Sequence, residues 1–314
     1  MSDLLKNIDA RTKLAGTNKL EILMFSLGLD TRTDREETFG INVFKVREVM
    51  RIPAITRAPE MPAAVEGMVS LRGALVPVID LAKYIGLVSD GKPEIMIVTE
   101  YNGHTQGFLV KAVDNILRLD WSAMRVPPAM LVAELGGLVT AITELKDKRL
   151  VMMIDVEKVL AETGQFATDE MIFNAVKPLN RPDRTVFFAD DSSVARSQIT
   201  RTLDAMGVKH ISAINGRQAW AELSKMAAYA ESSKTPLKDM LQVILTDVEM
   251  PEMDGYMLTR KIKEDKRFAG IPVLMHSSLS STSNQQLGKT VGVDEYIPKF
   301  EPQKLSQALA RLLA

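Results

Sequence analysis

The sequence predicts two domains, an all-β half followed by an α/β half built on a doubly wound parallel sheet. Three observations predict this. The chain is 314 residues long, above the size at which a single hydrophobic core usually divides. From Leu20 to Glu162 the pattern is a series of short β runs punctuated by turn residues, the rhythm of a barrel or a pair of barrels. From Thr185 onward strand and helix patterns alternate, the signature of a parallel sheet with helices on both faces. The resulting division is an N-terminal helical segment at 1–18, a β domain at 19–163, an interdomain linker at 164–183 and an α/β domain at 184–314.

In the first half the strand runs are LEILMFSLGL, FGINVF, EGMVSLRG, ALVPVIDL, EIMIVTEY, TQGFLVKAVDNILRL, LVTAITEL and RLVMMIDV. Gly73, Asn102-Gly103 and Asp147-Lys148 stand where tight turns belong. KVREVM, DLAKYIG and VEKVLAE read as short helices that plug or cap the strands. The linker TGQFATDEMIFNAVKPLNRPDR carries two prolines and mixed polarity, with Phe166, Met171, Ile172 and Phe173 as apolar pieces able to pack on a domain. In the second half the strands are TVFFA, VKHISA, LQVILT, PVLMH and DEYI. The helical patterns between and after them are SSVARSQITRTLDAMG, GRQAWAELSKMAAYA, YMLTRKIKEDK, SNQQLGKTVG and PQKLSQALARLL. ESSKTPLKDM lengthens the connection before the third strand as a surface excursion.

Composition removes several function classes. Hydrophobic residues make up 46% and charged residues 25% of the chain, which argues for globular domains. The 39 Lys and Arg nearly balance the 40 Asp and Glu, so no basic excess points to nucleic acid. With no Cys there are no disulfides, thiol nucleophiles or cysteine zinc sites, and three scattered His cannot build a histidine metal cluster. The charged, amphipathic opening MSDLLKNIDARTKL is not a secretory signal, and no apolar run is long enough to span a membrane. The expected location is the cytoplasm, with no direct membrane insertion.

Ligands of doubly wound sheets bind at the carboxyl ends of strands, where strand order reverses. The first strand ends in Asp190-Asp191, the third in Asp247, the fourth in Ser277 and the fifth in Lys299. With the first and third strands adjacent, as in a flavodoxin-like order, three carboxylates converge, and a cation is needed to offset their repulsion. Hard oxygen ligands suit magnesium, which keeps waters and takes a phosphate oxygen. A magnesium-bound Asp is poised to attack a phosphoryl group. A Ser hydroxyl and a Lys ammonium then stabilise its oxygens. Taken singly, Asp190-Asp191 would be a cap, Ser277 a capping hydroxyl and Lys299 a surface charge. Their coincidence at consecutive strand ends favours the functional reading. A haloacid-dehalogenase-type phosphatase needs a second Asp two residues after its nucleophile, and Glu249 stands there instead.

FFADDS, LTDVEMPEMDG, PVLMHSS and EYIPKF resemble the response-regulator receiver family over residues 184–314. The resemblance implies Asp247 as phosphoacceptor. It implies Asp191 as a direct magnesium ligand, Asp190 acting through metal-bound water, and the backbone carbonyl of Glu249 as a further ligand. Ser277 and Tyr296 would be the switch pair, the hydroxyl moving toward the phosphoryl group and the ring following inward. Two departures stand out. Pro298 precedes Lys299 and Phe300 follows it, whereas many relatives place Pro after the Lys, which bears on how the loop delivers the ammonium. Glu249 is placed to steer or repel the water that hydrolyses the phosphoryl group.

No catalytic set emerges from residues 1–162: His104 falls in an expected turn without a partner, and Trp121 with Pro127-Pro128 closes a core. NKLEILMFSLG, VREVMRIPAITRAP and VEGMVSLRGALVPVIDL resemble the CheW-like coupling domain of bacterial chemotaxis. That resemblance implies paired SH3-like barrels, and Arg72, Glu48, Val46 and Gly67 as residues facing the chemoreceptor or the histidine kinase. Against this, Arg72 is equally an internal ion-pair partner that holds its turn, and Val46 a plain core residue. The fusion of the two modules resembles the chemotaxis coupling proteins that carry a receiver. It implies an adaptor between chemoreceptors and the kinase, tuned at Asp247 and recruited to membrane-associated receptor arrays. Such a protein is a phosphoacceptor with at most slow self-dephosphorylation, not an enzyme. The alternative is a phosphate sink that drains the kinase. A transcriptional regulator is disfavoured, because no helix-turn-helix or basic stripe is present.

Overall fold

The computed structural model describes residues 19–57, 59–89, 91–101, 104–163, 173, 175–277, 288–299 and 301–313. The expected helix at 1–18, the Asn102-Gly103 turn, Phe166, Met171, Ile172, the start of the SNQQLGKTVG helix and Phe300 lie outside them. The described residues divide into two compact units, one reaching Thr163 and the other starting at Phe173.

The first unit runs β1 (Lys19–Asp30), β2 (Arg35–Asn42), β3 (Val46–Arg51), β4 (Val65–Leu71), β5 (Ala74–Asp80), α1 (Leu81–Tyr84) and β6 (Ile95–Tyr101). It continues with β7 (His104–Val110), β8 (Ala112–Asp120), α2 (Ala129–Glu134), β9 (Val139–Glu144), β10 (Leu150–Ile154) and α3 (Val156–Glu162). Two five-stranded sheets form, ordered β8-β1-β2-β10-β9 and β3-β6-β7-β5-β4. The bridges Arg125↔Ile142 and Thr56↔Met68 tie the ends of each sheet together, which leaves few open edges for unwanted pairing.

The continuous apolar run of β1 has a clear use. Leu20, Ile22 and Met24 join one core with Val151 and Met153. On the alternate positions, Phe25 stacks on Phe39 with ring centroids 5.9 Å apart.

Three expectations are corrected. KVREVM is strand β3, not a helix, because it pairs antiparallel with β6 from Val46↔Thr99 to Arg51↔Ile95. TQGFLVKAVDNILRL divides into β7 and β8, which belong to different sheets, and at the break Lys111 donates its N–H to the Ser26 carbonyl at 2.9 Å. His104 opens β7, paired with Tyr101, instead of sitting in a turn.

The second unit contains β11 (Thr185–Ala189), α4 (Ser193–Met206), β12 (Lys209–Ala213), α5 (Gly216–Ser233), α6 (Leu237–Met240) and β13 (Val243–Thr246). There follow α7 (Gly255–Glu264), β14 (Val273–Ser277), β15 (Glu295–Pro298) and α8 (Pro302–Leu313). All five strands are parallel, in the order β12-β11-β13-β14-β15. This is the flavodoxin-like order, with the switch point between β11 and β13.

Alternation along β11 sends Phe187 into the core shared with Leu223 and Leu258, and Phe188 into the opposite core with Leu203 and Leu309. The end of the expected linker belongs to this second core. Val176 is buried in it, the N–H groups of Leu179 and Asn180 both donate to the Met206 carbonyl at 2.9 Å, and the Arg201 guanidinium lies 4.0 Å over the Phe173 ring.

Candidate functional site

The parallel register brings the strand ends together. Asp247 donates its N–H to the Ala189 carbonyl at 2.8 Å, and Lys299 donates its N–H to the Ser277 carbonyl at 3.2 Å. Carboxylate oxygens of Asp190, Asp191 and Asp247 then lie within 4.8 Å of one another. Lys299, only 1% exposed, places Nζ 2.9 Å from both Asp190 Oδ2 and Asp247 Oδ2. Pro298 continues β15 opposite Ser277, so the changed proline position still delivers the ammonium. A buried ammonium persists only when paired, and here it offsets two buried carboxylates.

The remaining oxygens are held by backbone. Val248 N–H donates to Asp247 Oδ1 at 2.6 Å, and Ser192 N–H donates to Asp190 Oδ1 at 2.9 Å. Gly255 underlies the loop that follows Asp247: a Cβ there would lie 1.9 Å from the Asp247 carbonyl oxygen. Asp254 caps α7 by accepting from Met257 N–H at 2.6 Å. The donor set fits magnesium, since convergent oxygen ligands already hold one cation, the Lys299 ammonium, between them.

Ser277 is fully buried at the end of β14, and Glu249, two residues after Asp247, is buried as well. Burial pushes Tyr296 well above the ordinary phenol range, hydrogen bonds from Ser277 and Tyr256 pull partly the other way, and the Asp247 and Glu249 charges add to the rise. Tyr256 is raised further by burial, then by Tyr296, Asp254 and Glu249. Sequence reasoning missed Tyr256. Its signal was its place immediately after Gly255 in MDGY, on the first turn of the helix that follows the Asp247 loop.

A phenol whose folded-state pKa exceeds its unfolded value of about 10 stabilises the fold fully below that pH. The contribution is lost as the pH climbs toward the folded-state value. Stability should therefore fall above about pH 10, and Tyr256→Phe should lessen the fall. Denaturant titrations across alkaline pH check this, and an unchanged alkaline profile in the variant contradicts it.

In the first unit Arg72 and Gly73 form the β4–β5 turn, with φ of 51° and 85°, the positive pair a two-residue hairpin requires. Arg72 Nη2 lies 3.0 Å from Glu48 Oε2, so two of the four expected interface residues meet each other; the Arg72 side chain remains 70% exposed. Val46 is buried in β3. Gly67 has φ of 145°, and a Cβ there would meet the Thr56 carbonyl oxygen at 2.4 Å, so both occupy structural positions. Three residues after Arg72, on β5, Leu75 is 72% exposed.

Residues 22–164 match the CheW-like domain family and residues 186–310 the response regulator receiver domain family. The chain is 31% identical to chemotaxis protein CheV3 of Helicobacter pylori, covering 94% of this chain and 95% of that protein. It is 28% identical to CheV1 of the same organism, covering 100% and 99%. Over its first half it is 29% identical to chemotaxis protein CheW of Klebsiella aerogenes, covering 51% of this chain and 93% of that one. Among the described residues no helix is long and apolar enough to cross a membrane. A CheW-like domain and a receiver joined in one chain, matched to these relatives over nearly its full length, place the chain in the CheV family of chemotaxis coupling proteins.

Proposed function

We propose that this chain is an adaptor whose CheW-like domain couples chemoreceptors to the histidine kinase, and that a phosphoryl group on Asp247 adjusts the coupling. The observation that carries the reading is the Asp190–Asp191–Asp247 cluster, closed by Lys299, in the same chain as a CheW-like domain. A carboxylate oxygen of Asp247 attacks the phosphorus of a phosphohistidine on the kinase. The P–N bond breaks, its electron pair stays on the imidazole, which gains a proton, and Asp247 becomes an acyl phosphate.

Asp191, Asp247 and the Glu249 carbonyl, with Asp190 acting through a bound water, would hold magnesium, which would supply charge neutralisation on the phosphoryl oxygens. Lys299 exchanges its contact with Asp247 for a phosphoryl oxygen. Ser277 turns its hydroxyl from Tyr296 to another, which frees the Tyr296 ring to change position. The Glu249 carboxylate, buried and near enough for its charge to raise Tyr296 and Tyr256, governs how readily water reaches the acyl phosphate.

Reconstituted receptor arrays with kinase test the tuning. Asp247→Asn should bind receptors and kinase as the unmodified chain does, while kinase output no longer changes when phosphoryl donor is supplied. Equal responses from both proteins contradict the proposal.

Arg72 and Leu75 form the exposed tip of the coupling interface. An exposed ion pair contributes at most about 1 kcal/mol, so Arg72→Ala should fold normally. It should weaken capture of receptors or kinase by about tenfold. Unchanged capture in a pull-down series removes Arg72 from the interface.

A further inference from the structure

Arg196 stands in the first turns of α4, half-buried, and takes no part in the phosphoryl chemistry described above. Its Nη1 donates to the carbonyl of Asp190 at 2.9 Å and to the carbonyl of Asp191 at 2.9 Å. Those carbonyls lie in the two peptide planes that flank the Asp191 Cα. Fixing both planes fixes the direction in which the Asp191 side chain leaves the backbone.

Asp190 has anchors of its own: its N–H donates to the Ala213 carbonyl at 3.2 Å, Oδ1 accepts from Ser192 N–H and Oδ2 faces Lys299. Asp191 is more exposed than Asp190 or Asp247.

We propose that Arg196 is a positioning residue for the metal site: it presets Asp191 for the cation by holding the Asp190 and Asp191 carbonyls together. The inference rests on the reading of the acidic cluster as a magnesium site. Groups behind a metal ligand commonly alter metal affinity by about 10–100-fold. Two effects oppose here. The hydrogen bonds preorganise the turn, while the positive guanidinium repels an approaching cation. Charge-assisted hydrogen bonds across a half-buried gap outweigh a partly solvated charge of like sign, so the net effect is set near the lower end of that range.

Calorimetric titration of magnesium alone into the full chain tests this. Arg196→Met should raise the magnesium Kd by about tenfold. Arg196→Lys keeps the charge but ends one bond short of the carbonyls, and should fall between the unmodified chain and Arg196→Met. A purely structural role would lower the unfolding midpoint and leave the Kd of the folded protein unchanged. Magnesium binding equal to or tighter than that of the unmodified chain in folded Arg196→Met overturns the proposal. Should that variant fail to fold, Arg196→Lys decides alone: weaker binding supports the role, and equal binding overturns it. An unmodified chain that does not bind magnesium at all sinks the metal site itself, and the role of Arg196 with it.

Discussion

Lys299→Met destabilises the receiver by about 3–5 kcal/mol in chelator, and added magnesium recovers part of the loss. The ammonium is buried against two carboxylates that are themselves 0% and 3% exposed. Methionine fills much the same volume but leaves the acidic cluster without a cation. The carboxylates then repel in a setting where water cannot screen them. A divalent ion substitutes for the missing charge, so the variant gains more stability from magnesium than the unmodified chain does. Phosphotransfer falls as well, because the group that would meet a phosphoryl oxygen is gone. Among the described residues the helices of the first unit are short and most of those of the receiver long, so the loss of helical ellipticity in urea is read against the receiver. An unchanged midpoint in chelator contradicts the account of the cluster.

Gly255→Ala is the second large effect. The added methyl would sit 1.9 Å from the Asp247 carbonyl oxygen, 2.9 Å from its carbon and 3.1 Å from the Val248 Cα. All three are backbone atoms, so no side chain can swing aside. Either α7 retreats or the acceptor loop moves, and the Gly255 N–H bond to the Val248 carbonyl at 2.9 Å is strained in both cases. Overpacking of this kind costs about 1–3 kcal/mol. A displacement of about 1 Å at the acceptor is enough to slow transfer by about 10²-fold. Phosphotransfer kinetics at saturating magnesium check it, and a folded variant with an unmodified rate contradicts it.

The receiver site was readable from sequence because a doubly wound sheet places chemistry at strand ends. Asp190, Asp247, Ser277 and Lys299 each follow or close a short apolar run, so locating the strands located the cluster. What could not be read there is carried by tertiary neighbours. Val46, Val49 and Met50 have the spacing of one helical face, yet pairing with β6 makes them strand. A segment that short is decided by its neighbours. The break between β7 and β8 lacks glycine or proline and exists because the two strands join different sheets. Val176 and Leu179 look like linker by composition, but the apolar surface of α4 and α8 takes them up. Arg196 and Tyr256 gave little sign, since an arginine and a tyrosine on helix turns are ordinary until their contacts are known.

The most direct measurement follows a labelled phosphoryl group from the phosphorylated chemotaxis histidine kinase, with magnesium, onto the unmodified chain and onto Asp247→Asn. Rapid labelling of the unmodified chain, lost on chelation and absent from Asp247→Asn, is the result predicted. No label on the unmodified chain, or equal label on both, would contradict Asp247 as the phosphoacceptor through which this adaptor is adjusted.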